Sequence, residues 1–293
     1  MRVRCGRGGG RGPTGRALTG RVLTGRVRTG RVRTGRVRTG RVLTGRLTGR
    51  ARTGGGLTGR ARGRSQGATM SGPADRPRPG ERAGPALREG LRHVYWIGGG
   101  SGAGKSTIAR RLADRAGLRR YSTDDVMADH ARRSTPADSP FLTEFAAMDM
   151  DQRWVRRSPE AMLETFHWFR GEGFGLIVED LLCVPRDQGV IAEGFRLLPR
   201  LVRPLLAEPG HAVWLLPTPE FRRAAFARRG SLATIAGRTS DPERALRNLL
   251  ERDRLFTERL GLEARRLDLP VIEVGGPVTE EDLAERVAGA LGL

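Results

Sequence analysis

One stretch constrains this chain more than any other: residues 93–107, His-Val-Tyr-Trp-Ile-Gly-Gly-Gly-Ser-Gly-Ala-Gly-Lys-Ser-Thr. Gly99, Gly104, Lys105 and Ser106 stand at the spacing of the phosphate-binding pattern G-x-x-x-x-G-K-[ST]. An apolar run, Val94-Tyr95-Trp96-Ile97, leads in, and the helix-forming stretch Ile108–Ala116 leads out. The motif therefore falls between a buried strand and a helix N-terminus, where backbone N–H groups converge on an anion. Gly99, Gly100, Ser101, Gly102, Ala103, Gly104, Lys105, Ser106 and Thr107 are expected to wrap a nucleoside triphosphate. Lys105 would neutralise the β- and γ-phosphates and Ser106 Oγ would ligate Mg²⁺. The expected ligands are ATP and Mg²⁺.

Lys105 is the sole lysine; the other 52 of the 53 basic residues are arginine. A compact ammonium on a flexible stem thus survives at the one place where phosphate chemistry calls for it.

The formal charge of +21 suggests a nucleic-acid binder until it is divided by region. Residues 1–69 hold 19 arginines and no acid, which leaves 34 basic and 32 acidic residues in 70–293. Within that tail, residues 14–60 repeat Thr-Gly-Arg-Val-Arg/Leu, with few large apolar groups and strong self-repulsion, so 1–69 is expected to be disordered. Composition changes abruptly at Met70, and the expectation is that translation starts there; nucleic acid is a partner only if the tail is real. Peptides from before Met70 in mass spectrometry of the native protein would sink that idea. Residues 70–90, rich in Pro and Gly, read as a linker, with a folded domain over 91–293. The two cysteines, Cys5 and Cys183, form no C-x-x-C pair and argue against disulfides and a cysteine-based zinc site. No apolar run approaches the ~18 residues of a membrane span, and the expected location is cytoplasmic.

From Leu91 onward strands and helices alternate. Strands are expected at 93–97, 119–122, 189–194, 212–216 and 271–274. Ser158-Pro159-Glu160, Asp241-Pro242-Glu243 and Thr279-Glu280-Glu281-Asp282 read as helix starts, the first opening a helix that carries Met162, Phe166 and Phe169, and 176–184 reads as helix in preference to strand. Such alternation predicts a parallel sheet covered on both faces, with ligands at the carboxyl ends of the strands.

The acids at those strand ends are the next candidates. Asp124 and Asp125 follow the second strand; one can cap a helix while the other, Asp124 by preference, accepts a proton from an acceptor hydroxyl. Glu193 closes the third strand beside the expected metal. Arginines cluster at Arg222, Arg223, Arg228, Arg229 and Arg238, then at Arg244, Arg247, Arg252 and Arg254. Residues 229–240, between two helices, are expected to form a lid carrying Arg229 and Arg238 onto the transferring phosphoryl group.

With these residues in place, the domain resembles the P-loop small-molecule kinases, of the nucleoside monophosphate, shikimate, gluconate and chloramphenicol phosphotransferase type. The resemblance covers about residues 91–293. It implies a three-layer α/β P-loop NTPase fold, a five-stranded parallel sheet of order 2-3-1-4-5, Mg-ATP as donor and a closing lid. It also implies an acceptor site built from Ser122–Asp125 and the helices of 126–185. Two features depart from the better-known members: Glu193 stands in place of an Asp, and the region from 126 to 185 is long. The expected activity is γ-phosphoryl transfer to a small-molecule acceptor. Two other readings fit the same residues: a nucleotide-hydrolysing regulator without an acceptor, and a polynucleotide 5′-hydroxyl kinase tethered by the basic tail.

Overall fold

Alternate residues of the central strands point into two different apolar clusters, and this period-two split sets the architecture. Trp96, Ala192, Ala212 and Trp214 are buried on one face with Ile177, Leu181 and Ala264. Ile97, Ile191, Val213 and Leu215 are buried on the other with Ile108, Leu112, Leu283 and Val287. A sheet buried on both sides needs helices on both sides.

The structure is a computed structural model. It describes residues 84–293 apart from Gly230, with the side chains of 228–233 also outside the description. The strands are β1 (Val94–Gly99), β2 (Arg119–Ser122), β3 (Val190–Glu193), β4 (Ala212–Pro217) and β5 (Val271–Val274). They form one parallel sheet in the order β2-β3-β1-β4-β5, as expected. The helices up to the third strand are α1 (Pro85–Gly90), α2 (Lys105–Ala116), α3 (Met127–Arg133), α4 (Pro140–Ala147), α5 (Met150–Trp154), α6 (Pro159–Thr165), α7 (His167–Arg170) and α8 (Phe174–Leu182). After it come α9 (Pro199–Val202), α10 (Pro219–Arg229), α11 (Ser231–Ala236), α12 (Pro242–Arg266) and α13 (Glu280–Leu291).

The cap signals work as physics requires. Ser158 Oγ accepts from Ala161 N at 3.1 Å and Asp241 Oδ1 accepts from Arg244 N at 3.0 Å. Thr279 and Asp282 form a reciprocal capping box at the start of α13. Each such cap stabilises its helix by ~1 kcal/mol. The long helix α12 then packs its buried stripe, Ala245, Leu249, Phe256 and Leu260, onto α5, α6 and α7. Phe169 and Phe256 stack there, ring centroids 3.6 Å apart.

Four local differences have local causes. β1 runs on to Gly99, because Gly98 and Gly99 keep pairing with Trp214 and Leu215 of β4. α1 lies inside the stretch read as linker: Leu87 packs onto the core and Arg88 Nε donates to Pro204 O at 2.9 Å. The helix begun at Ser158 stops at Thr165, where Phe166 adopts an extended backbone (ψ 111°) and α7 starts afresh. Cys183, at the end of α8, is not a free thiol, against the expectation from the cysteine count; Cys5 lies outside the described residues. The tail of 1–69 and most of the 70–90 stretch also lie outside them. No helix among the described residues is long and apolar enough to cross a membrane.

Candidate active site

The glycine loop sits at the carboxyl end of β1, the central strand. Gly99 has φ +129°, and a Cβ there would lie 2.1 Å from Leu215 O, so no other residue fits. Gly100 N donates to that same carbonyl at 3.0 Å, and the chain turns into α2 at Lys105. Lys105 is 8% exposed, and its Nζ folds back to donate to Gly100 O at 2.8 Å. The ammonium is thereby held over its own loop, where phosphate oxygens would meet it.

β3 neighbours β1 in the sheet, and its last residue brings a carboxylate to this end. Glu193 is 1% exposed; Ser106 Oγ donates to its Oε2 at 3.1 Å, and Arg120 Nη1 donates to its Oε1 at 3.1 Å. Burial raises the Glu193 pKa above the ordinary value, against the pull of Lys105, while the nearby Asp124 charge raises it further. A hydroxyl and a carboxylate oxygen side by side are hard donors that suit Mg²⁺. No group of three His, Cys, Asp or Glu that could hold a metal occurs among the described residues. Ser106 and Glu193 would therefore hold Mg²⁺ only together with phosphate and water oxygens.

β2 lies beyond β3 and delivers the other acids. Thr123 N donates to Glu193 O at 2.9 Å, which carries the turn of 122–125 to the same end of the sheet. Gly194 makes this approach possible: its φ is +147°, and a Cβ would lie 1.8 Å from Thr123 Oγ1. Asp124 is open to the crevice, yet the surrounding protein strips enough water to hold its pKa above the ordinary carboxylate value. The Lys105 charge, a Thr123 hydrogen bond and the Arg196 charge oppose that rise. Asp125, by contrast, is turned to Arg120, whose Nη2 donates to its Oδ2 at 3.0 Å. The two consecutive acids thus occupy different environments.

The arginine clusters divide. Arg222 of α10 is 4% exposed beside the loop, where a Cβ on Gly102 would meet its Cγ at 3.5 Å. Burial lowers its pKa, with Asp253 pulling the other way. Arg252 is also buried and donates to Asp253 Oδ1 through Nε (3.0 Å) and Nη2 (2.6 Å). That pair sits one turn from Thr257, whose Oγ1 would be 2.5 Å from a Cβ on Gly100. Arg223, Arg247 and Arg254 instead pair with Glu220, Glu243 and Glu251 on their own helices. Such pairs contribute little.

Between the two helices of the expected lid lies a third, α11. Ile235 and Ala236 pack against Trp154, Met162 and Ala245, and Ser240 N donates to Asp151 Oδ1 at 2.8 Å. Arg238 is exposed in the turn after α11 and makes no side-chain hydrogen bond or ion pair with the glycine loop among the described residues. Arg229 closes α10, with its side chain outside the description.

Sequence reasoning missed three things. Arg120, in β2, bridges Glu193 and Asp125. Arg196 is 2% exposed behind the Thr123 turn; its signal was the Glu-Gly-Phe-Arg run after β3. Beside the loop lies a cavity of about 290 Å³, lined by Gly102, Thr107, Phe221, Ala225, Val274 and Val278 among others. Its apolar walls lie next to the expected phosphate site, where a nucleotide base would sit.

No family model matches the chain. It is 31% identical over 199 residues to the adenylate kinase of one strain of Thermus thermophilus, a match covering 67% of this chain and 95% of that protein. The adenylate kinase of a second strain of the same species matches over the same length at the same identity. A crystal structure of an uncharacterized protein from Eubacterium ventriosum shares 13% identity with it at a TM-score of 0.34, covering 69% of this chain and 98% of that one. The glycine loop, the sheet order and the near-complete span of the Thermus enzymes agree: the chain is a member of the P-loop nucleotide kinase family.

Proposed function

We propose that this protein is an ATP-dependent kinase that moves the γ-phosphoryl group of Mg-ATP onto a small-molecule acceptor bound against Ser122–Asp125 and α3–α8. The observation that carries the reading is the convergence of Lys105, Ser106, Glu193 and Asp124 at the carboxyl ends of three adjacent strands. The naming of the Thermus relatives as adenylate kinases supports a nucleotide among the acceptors.

The roles follow from position. Residues 99–107 cradle the phosphates, and the cavity beside them takes the base. Lys105 neutralises the β/γ oxygens. When bound between Ser106, Glu193 and the phosphates, Mg²⁺ supplies charge stabilisation at the phosphate oxygens. For a hydroxyl acceptor, Asp124 takes the proton as the new O–P bond forms and the β–γ bridge breaks, with ADP leaving. Arg229 and Arg238 would reach the site through movement of the 229–240 segment. Most of the rate would come from positioning and fixed charge.

Asp124→Asn tests this reading. It should leave ATP affinity within about twofold and lower turnover with a hydroxyl acceptor by about a hundredfold or more. Unchanged transfer would remove Asp124 from the reaction.

A further inference from the structure

Behind the turn that carries Asp124 lies a buried polar chain that the reaction outlined above does not use. His130, on α3, is fully buried, and both ring nitrogens have partners. Arg196 Nη1 is 3.0 Å from Nδ1, and Asp180 Oδ2 is 2.8 Å from Nε2. A guanidinium can only donate, so Nδ1 must accept, and the ring proton must be on Nε2, where it donates to Asp180. The neighbours therefore impose the tautomer.

The other ends of the chain are anchored in different elements. Asp180, on α8, also accepts from Tyr121 Oη of β2 at 2.8 Å and from Arg133 Nη1 at 2.9 Å. Arg196 Nη1 donates to Thr123 O at 3.4 Å and Nη2 to Gly173 O at 3.2 Å, while the guanidinium lies 4.0 Å from the Trp168 ring centroid. None of those hydrogen-bond partners of Arg196 is a carboxylate. Among the described residues, His130 is thus the side chain that links the buried Arg196 to an acid, while Arg196 itself bonds the carbonyl next to Asp124. Deep burial brings the Arg196 pKa down to about 10, so the side chain remains charged at neutral pH.

We infer that His130 is a positioning residue: by accepting from Arg196 it holds the guanidinium against Thr123 O and so fixes the turn that presents Asp124. The inference rests on the reading of Asp124 given under the proposed function. It also explains a buried arginine at this place, because a fixed cation behind the turn constrains a loop that would otherwise be held mainly by Thr123 N.

Two substitutions separate this role from mere packing. His130→Asn keeps an acceptor near the Nδ1 position and loses the bond to Asp180. His130→Gln keeps a donor near Nε2 and loses the bond from Arg196. The measurements are histidine ¹⁵N NMR of the wild type, the backbone amide shifts of Thr123–Asp125, and turnover of Mg-ATP with nucleosides as hydroxyl acceptors and nucleoside monophosphates as phosphate acceptors.

The expected results are a neutral Nε2–H ring in the wild type and displaced Thr123–Asp125 amides in His130→Gln alone. In that variant kcat should fall about tenfold or more with the KM for ATP within about twofold, while His130→Asn stays within about threefold. An Nδ1–H tautomer, or equal damage in both variants, would overturn the inference. Absence of transfer by the wild type to every acceptor would count against the kinase reading, and the tautomer and amide shifts would still decide the case for His130.

Discussion

Ser106 Oγ donates to Glu193 Oε2 at 3.1 Å, although the two residues are 87 positions apart. The contact joins the first turn of α2 to the end of β3 and sets a hydroxyl and a carboxylate oxygen side by side. Arg120 holds the other carboxylate oxygen. Glu193→Gln keeps the shape and a hydrogen-bond acceptor but removes the charge. The expected outcome is that metal-free ATP binding changes by less than about twofold while the Mg²⁺ concentration needed for half-maximal effect rises about tenfold. Calorimetric titration of ATP with and without Mg²⁺ checks it.

The cavity beside the loop gives a second prediction. Ala225→Phe places a ring among Phe221, Val274 and Val278, where the base would sit. ATP affinity should fall about tenfold or more, while inorganic triphosphate, which needs no base pocket, should bind within about twofold of the wild type. Equal losses for both ligands would place the base elsewhere.

Gly194 is the point where backbone geometry and chemistry meet. Gly194→Ala combines a left-handed φ of +147° with a Cβ 1.8 Å from Thr123 Oγ1. The expected cost is about 3 kcal/mol or more, since neither backbone nor threonine can yield cheaply. Chemical denaturation measures it, and a variant as stable as the wild type would show that the turn is softer than its contacts indicate.

His167 gives a pH prediction. Burial first, then the charges of Arg196, Arg153 and Arg252, pushes its pKa down to about 3. The folded state therefore resists protonating a ring that the unfolded chain protonates near 6.5, so this neutral histidine costs stability as pH falls from that value toward 3. From pH 7 to pH 5 the wild type should lose about 2 kcal/mol more than His167→Phe. Denaturant melts at the two pH values test this, and parallel losses would contradict the assigned pKa.

What the sequence made legible was local. The glycine loop, the strand runs ending in Glu193 and Val274, and the proline-after-cap starts of α6 and α12 each carry their signal within a few residues. The sheet order came with the resemblance that those motifs supported. His130 and Asp180 gave no such signal, and the Glu-Gly-Phe-Arg run marked Arg196 without its partners, because their meeting depends on contacts spanning 66 and 50 residues. The arginine clusters were visible, but only burial separates Arg222 beside the loop, and Arg252 over the Trp154, Phe166 and Phe169 rings, from Arg247 and Arg254, which pair along α12. Helix α1 was obscured for a different reason: its Gly-Pro start resembles the Pro/Gly-rich stretch before it, and its worth comes from Leu87 meeting the core.

Phosphoryl transfer is measured most directly as ADP release by the full chain with Mg-ATP and a panel of nucleoside monophosphates and fractionated metabolites. Lys105→Ala serves as control, and mass spectrometry identifies any phosphorylated product. Acceptor-dependent ADP release with an equal amount of newly phosphorylated acceptor is expected, and its loss in Lys105→Ala. ATP binding with no stimulation by any acceptor would contradict it, and would point to a nucleotide-binding regulator.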